Sequence, residues 1–257
     1  MMKPLAGKRI LITGASKGLG SVIAQAFAAE GASLLLAARD EERLNALRQT
    51  LPDSSNHDVF AADLLLPGKA KELARHACQN FGGVDIAVHA MGGGLGLRDP
   101  LLTEEELTTL FAVNLGASAD INRDLVPGMA AKGWGRILHI GSVASTDAIA
   151  SVGYNTVKAA LAAYVRSLGR SLAGQGIVVC GILPGAFYAP DNSWRRLESR
   201  DPKAVADFTA TRLPRGHIGK AEELIPLLLL LAGEGASMMA GTMVAIDAGE
   251  AVAYTGF

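Results

Sequence analysis

Short apolar, β-branched runs alternate along this chain with longer stretches whose apolar residues recur every three or four positions. The runs cover 9–13, 33–37, 59–63, 84–90, 136–140, 176–182 and 242–247. They are continuous in hydrophobicity, as expected of strands covered on both faces of a parallel sheet. Helical patterning fills the gaps: an alanine-rich segment over 21–30, a helix from Glu41, another over 68–80, a long one from Thr103, one opening near Gly153 and one over 221–232. This rhythm predicts an α/β fold: a doubly wound, parallel, seven-stranded sheet with helices on both faces and right-handed crossovers. No internal repeat or linker interrupts it, so residues 1–257 read as a single domain. The exception is 186–220, a long insertion carrying Phe187, Tyr188, Trp194 and Phe208 with Arg195, Arg196 and Arg200. It reads either as a lid over a substrate or as a surface excursion with its aromatics docked on the core.

Polar residues inside apolar stripes point to chemistry. The helix from Thr103 opens on a capping box, Thr103 with Glu106, and its inward face runs Leu107, Leu110, Phe111, Asn114, Ser118, Ile121, Leu125. Asn114 must find hydrogen-bond partners there, either as a satisfied core amide or as a working group. The helix near Gly153 carries Tyr154, Lys158, Leu161, Val165, Leu168 and Leu172 on one stripe. A lysine in that stripe needs a partner. Tyr154 and Lys158 lie one helical turn apart, and an ammonium beside a phenol favours the phenolate. Ser142, at the end of the fifth strand, offers a hydroxyl on the sheet edge where open α/β sheets bind ligands.

Thr13-Gly14-Ala15-Ser16-Lys17-Gly18-Leu19-Gly20 joins the first strand to its helix. Glycines at 14, 18 and 20 suit a tight turn and close approach of backbone amides to a pyrophosphate, although a plain strand-to-helix turn has similar composition. The second strand ends in Ala38-Arg39-Asp40. Where a ribose is read, Arg39 and Lys17 favour a 2′-phosphate over a 2′-hydroxyl, while Asp40 suits the N-cap of the following helix. Asp63, at the third strand's tip, is placed to meet an adenine amino group. Met91-Gly92-Gly93-Gly94-Leu95-Gly96 follows the fourth strand and brings backbone or mobility beside that site.

Composition narrows the partners. Net charge is −1, with 24 basic and 25 acidic residues spread along the chain, which argues against nucleic acid. The longest greasy run, 224–232, is broken by Pro226 and is far shorter than the ~20 residues of a membrane span. The N-terminus has no apolar core of signal-peptide length, so a soluble, cytoplasmic protein is expected. Cys78 and Cys180 have no metal-ligand spacing; no metal is expected, and both read as reduced.

Taken in order, Thr13-Gly14-x-x-x-Gly18-x-Gly20, Asp63, Asn114, Ser142, Tyr154-x-x-x-Lys158, Pro184-Gly185 and Asp247-Ala248-Gly249 resemble the short-chain dehydrogenase/reductase family over nearly the whole chain. The resemblance implies a Rossmann fold and a nicotinamide cofactor, NADP(H) preferred and NAD possible. It implies catalytic roles for Asn114, Ser142, Tyr154 and Lys158: Tyr154 as acid/base, Ser142 on the substrate oxygen, Lys158 on the nicotinamide ribose and lowering the tyrosine pKa, Asn114 holding a water. Implied cofactor contacts are Gly14, Ser16, Lys17, Gly18, Leu19, Gly20, Arg39, Asp63, Leu64, Ala90, Gly92, Tyr154, Lys158, Pro184 and Gly185. It also implies a homotetramer or homodimer, to which the C-terminal 251–257 would contribute.

Three departures stand out. His89-Ala90-Met91-Gly92 replaces the family's Asn-Asn-Ala-Gly, so His89 must bond differently from the strand-tying asparagine. The Ser142 to Tyr154 interval is one residue short of the common spacing, and Ala189 stands where a threonine often follows Pro-Gly. The expected activity is hydride transfer between NADP(H) and a carbonyl or secondary alcohol. A sugar or modified-sugar dehydrogenase using NAD(H), and a non-catalytic dinucleotide-binding sensor, are the alternatives.

Overall fold

The computed structural model describes residues 3–253. The first strand, β1 (Arg9–Thr13), leads through the glycine turn into helix α1 (Gly18–Ala29), and the alternation continues with β2 (Ser33–Ala38), α2 (Glu41–Thr50), β3 (Asp58–Ala61), α3 (Lys69–Gln79) and β4 (Ile86–His89). Next come α4 (Glu104–Phe111), a π turn over Ala112–Gly116, α5 (Ala117–Lys132), β5 (Gly135–Ile140), α6 (Val152–Leu172) and β6 (Ile177–Pro184). The insertion holds β7 (Phe187–Tyr188), α7 (Ser193–Arg200), α8 (Pro202–Arg212) and β8 (Gly219–Lys220), and the chain closes with α9 (Ile225–Ala232) and β9 (Met243–Ile246).

Seven strands form one parallel sheet in the order β3-β2-β1-β4-β5-β6-β9, each in the register of its neighbour. Chain order reverses between β1 and β4, which opens a crevice at their carboxyl ends. The strands are apolar on both faces because both are covered. One core packs Ile10, Ile12, Leu34 and Leu36 under α1, α2 and α9; the other packs Leu11, Leu35, Ile137 and Val179 under α3, α5 and α6.

The long helix expected from Thr103 is real but uneven. Its capping box forms in full, and the chain then widens into the π turn before continuing as α5. Such bulges add a residue to the turn and re-aim the side chains within it, here Asn114. The third strand stops at Ala61, so Asp63 lies two residues beyond it in the loop rather than at the tip. Of the C-terminal segment read as an interface, Tyr254–Phe257 lie outside the described residues. Among the described residues, no helix is long and apolar enough to cross a membrane.

Candidate active site

The glycine turn is shaped by contacts as well as by conformation. Gly14 has φ of +70°, and a Cβ there would sit 2.9 Å from the Met91 amide nitrogen, so only glycine lets the turn lie against the exit of β4. Gly18, at φ of +62°, has open space where a Cβ would stand, while its amide is taken by the Pro190 carbonyl at 2.7 Å. Gly20 presses on the Gly14 carbonyl, which holds α1 against the turn. Lys17, the N-cap of α1, makes no side-chain cap, so the helix's first amides have no side-chain acceptor. Ser16 is half-buried in the turn and Leu19 is buried beneath it. These features fit a bound anion such as a dinucleotide pyrophosphate.

The neighbouring strand ends carry the charges. Asp40 caps α2, its Oδ1 accepting from the Arg43 amide at 3.0 Å. Arg39 is 76% exposed and approaches Asp63 only at 3.9 Å, so its guanidinium is free for a ligand. Asp63 uses its other oxygen to accept from Leu65 N at 3.0 Å, next to buried Leu64. Lys17 points to Asp191, 3.4 Å away, and Arg43 donates to the same carboxylate oxygen at 3.0 Å. Sequence reasoning did not bring Arg43 and Asp191 together beside the glycine turn. Arg43 was legible as a second cation on the turn after Arg39, but nothing local pairs either residue with Asp191. Hydrogen bonding from Arg43, with Lys17 alongside, holds the Asp191 carboxyl down to about 2.

Deeper in the crevice, Asn114, Ser142, Tyr154 and Lys158 converge. The π turn buries Asn114, whose Oδ1 accepts from Gly93 N at 3.0 Å while its Nδ2 donates to Gly93 O at 3.0 Å and to Leu110 O at 2.9 Å. Lys158 is 4% exposed, and its Nζ donates to the Ile140 carbonyl at 3.0 Å. Gly92 fits between them: a Cβ there would lie 2.8 Å from Asn114 Oδ1 and 3.3 Å from Lys158 Nζ. Ser142 lies two residues beyond β5, and its Oγ accepts from Ala144 N at 3.2 Å, leaving its proton to give elsewhere. Ala90 ties the start of the loop to β1, its amide donating to Thr13 O at 3.2 Å. Pro184 closes β6, and Gly185 N donates to Ile246 O at 3.3 Å.

The electrostatics of this cluster differ from the sequence expectation. Lys158 Nζ sits 5.5 Å from the centre of the Tyr154 ring, yet burial pushes the phenol up, and the opposing influence is the Ser142 hydroxyl. Lys158 is itself pushed down to about 8 by desolvation. Lys158 is buried and Tyr154 half-buried, and loss of solvent penalises the charged form of each. The protein alone therefore does not supply the lowered phenol pKa that the helical spacing suggested.

His89 replaces the family's asparagine with a different tie. Its Nε2 lies 2.8 Å from Asn122 Oδ1, and Asn122 Nδ2 donates to the Tyr164 hydroxyl at 3.2 Å. His139, its register partner on β5, stacks on it with ring centres 4.8 Å apart. Burial lowers both imidazoles, His89 to about 4.

The insertion builds a cluster of its own beside the sheet. Val205, Leu213 and Ile218 make a small core of their own with Tyr188, Trp194 and Phe208, and the two larger rings meet at 4.4 Å. Phe187 packs instead on the main core, and Ala189 is buried where a threonine was noted as missing. The insertion also touches the glycine turn directly, with Gly18 N donating to Pro190 O at 2.7 Å.

Comparison with known proteins finds likeness over nearly the whole chain. A family model described as enoyl-(acyl carrier protein) reductase matches residues 14–250. The 3-oxoacyl-[acyl-carrier-protein] reductase FabG of Vibrio cholerae is 29% identical over 95% of this chain and 98% of its own. The 2-dehydro-3-deoxy-L-rhamnonate dehydrogenase (NAD(+)) of a Sphingomonas species is 26% identical over 90% of each. The structure of L-sorbose reductase from Gluconobacter frateurii, complexed with NADPH and L-sorbose, superposes with a TM-score of 0.89 at 28% identity, covering 99% of this chain and 100% of that one. With the fold, the ordered motifs and these full-length matches in agreement, the chain belongs to the short-chain dehydrogenase/reductase family of oxidoreductases.

Proposed function

We propose that this protein is an NADP(H)-preferring reductase or dehydrogenase that moves a hydride between the cofactor and a carbonyl or secondary alcohol, with Tyr154 as acid/base. The observation that carries this reading is the gathering of Tyr154, Ser142, Lys158 and Asn114 at the carboxyl edge of the sheet, beside a glycine turn with open space at Gly18. The nicotinamide, when bound, supplies the hydride in reduction and accepts it in oxidation. The amides at the start of α1 hold the pyrophosphate, with Gly14 and Gly20 shaping the turn. Arg39 and Lys17 take the 2′-phosphate, and Asp63, Leu64, Ala90, Gly92, Pro184 and Gly185 line the rest of the groove.

Ser142 donates to the substrate oxygen, and Tyr154 gives that oxygen a proton in reduction or removes one in oxidation. Lys158 holds the nicotinamide ribose. Asn114 fixes the glycine loop beside that lysine. The raised phenol favours the protonated tyrosine, which is the form reduction needs. Arg39 supports NADP(H) because it is exposed at the end of β2 with only a distant carboxylate partner. The L-sorbose reductase carries NADPH, which agrees with this preference, whereas the rhamnonate enzyme is named for NAD(+).

A sugar or sugar acid is the second substrate reading, favoured by the likeness to the sorbose enzyme. An absorbance screen of aldehydes, ketones, sugars and acyl thioesters with NADPH and NADH decides among these. Tyr154→Phe then tests the mechanism: turnover should collapse while cofactor binding survives. Full turnover in that variant would defeat the acid/base role.

A further inference from the structure

The carboxylate of Asp191 bridges cations from two helices that start at the ends of adjacent strands. Lys17 comes from the turn after β1, and Arg43 from the first turn of the helix after β2; both meet Asp191 Oδ2, at 3.4 and 3.0 Å. Arg196, one turn into α7, approaches Oδ1 at 3.4 Å and also donates to the Asp191 carbonyl. The backbone fixes this placement. Pro190 O accepts from Gly18 N at 2.7 Å, Asp191 is held at φ of +52°, and Asn192 follows as the cap of α7 while its Nδ2 donates to Phe187 O at 2.7 Å. A residue without glycine's freedom rarely sits in that left-handed region unless its surroundings fix it.

We propose that Asp191 is a cofactor-selectivity residue, an internal anion seated on the cations that a 2′-phosphate would use. This rests on the reading that the dinucleotide lies across the ends of β1 and β2. A 2′-phosphate reaching Lys17 must displace the carboxylate or lie beside it at like-charge distance, whereas a 2′-hydroxyl leaves the Lys17–Asp191–Arg43 bridge intact. The insertion is therefore fastened over the glycine turn when the ribose is unphosphorylated and loosened when it is phosphorylated. Asp191 thereby tempers the NADP preference that Arg39 confers.

Calorimetric binding of NADP⁺ and NAD⁺ to the full chain, wild type and Asp191→Asn, tests this. The variant should bind NADP⁺ about fivefold more tightly, the size of one exposed like-charge contact, with NAD⁺ changed by less than about twofold. The gain should shrink in high salt and in a Lys17→Ala background, because Lys17 is the shared cation. Asp191→Glu, which keeps the charge, should stay near wild type. Equal tightening of both cofactors, weakening of either, or no change in NADP⁺ would overturn the proposal. The underlying NADP preference is tested separately by Arg39→Asp: if that variant leaves the cofactor ratio unchanged, the Arg39 assignment fails whatever Asp191→Asn does.

Discussion

Asn114 and Gly93 exchange two hydrogen bonds, one in each direction, across the gap between the π turn and the glycine-rich loop. One side-chain amide thus stands in for a strand neighbour and fixes a loop that has no ladder of its own. The third bond, to Leu110 O, keeps the amide from rotating. Asn114→Ala removes the side-chain partner of both polar groups of half-buried Gly93, which costs about 1–3 kcal/mol at most. Urea unfolding should show a loss in that range, and turnover should fall with it. A variant of unchanged stability would mean that the loop does not depend on this clasp.

Gly92 and Gly94 are two residues apart and should respond very unequally to a methyl group. A methyl at Gly92 meets Asn114 Oδ1 and Lys158 Nζ, while one at Gly94 makes ordinary contact with the Tyr154 ring at 3.6 Å. Gly92→Ala is expected to lower kcat at least tenfold, since misplacing catalytic groups by a fraction of an ångström is costly. Gly94→Ala should stay within about threefold of wild type by the same measure. Equal effects in steady-state assays would show that the Gly92 contact relaxes without moving Asn114 or Lys158.

Lys158 sets activity against stability. Its folded pKa, about 8, lies below the ordinary lysine value, so its contribution is most favourable in strong alkali and is lost as pH falls toward 8. At neutral pH the buried charge costs about 3 kcal/mol on that basis. That figure is net, the bond from Nζ to Ile140 O already being part of it. Lys158→Met removes the buried charge, so its unfolding free energy at pH 7 should be no lower than that of wild type while turnover is abolished. A loss of stability would identify the lysine as a structural requirement.

The buried histidines predict acid lability. His89, lowered to about 4, takes up its proton in the unfolded chain before the folded one. Its contribution is therefore complete above the ordinary histidine value of ~6.5 and declines as pH falls through the window down to about 4. His139 is lowered in the same direction by burial and by its neighbour His89. Denaturant unfolding at pH 5 and pH 7 should show a smaller difference in His89→Asn than in wild type. An identical difference would place the acid sensitivity elsewhere in the fold.

Much of the site was legible because its signals are local. Continuous apolar runs specify strands covered on both faces, and the Thr103 capping box and Asp40 cap announced their helices within four residues. Asn114 stood out as an amide on an apolar stripe, and Lys158 as a lysine on another. The π turn was not legible, because one helical hydrogen bond's difference leaves the spacing of the stripe nearly unchanged.

The sequence by itself determined the order of the strands along the chain, the glycine turn, and the four polar positions of the candidate site. These depend on periodicity and backbone freedom, which act over a few residues. The tertiary structure alone decided that Asp191 meets Lys17 across 174 positions and that His89 pairs with Asn122. It also decided that burial raises the Tyr154 phenol. Such pairings depend on where distant loops land and on how much water the packed chain expels, and neither quantity is encoded in the spacing of neighbouring residues.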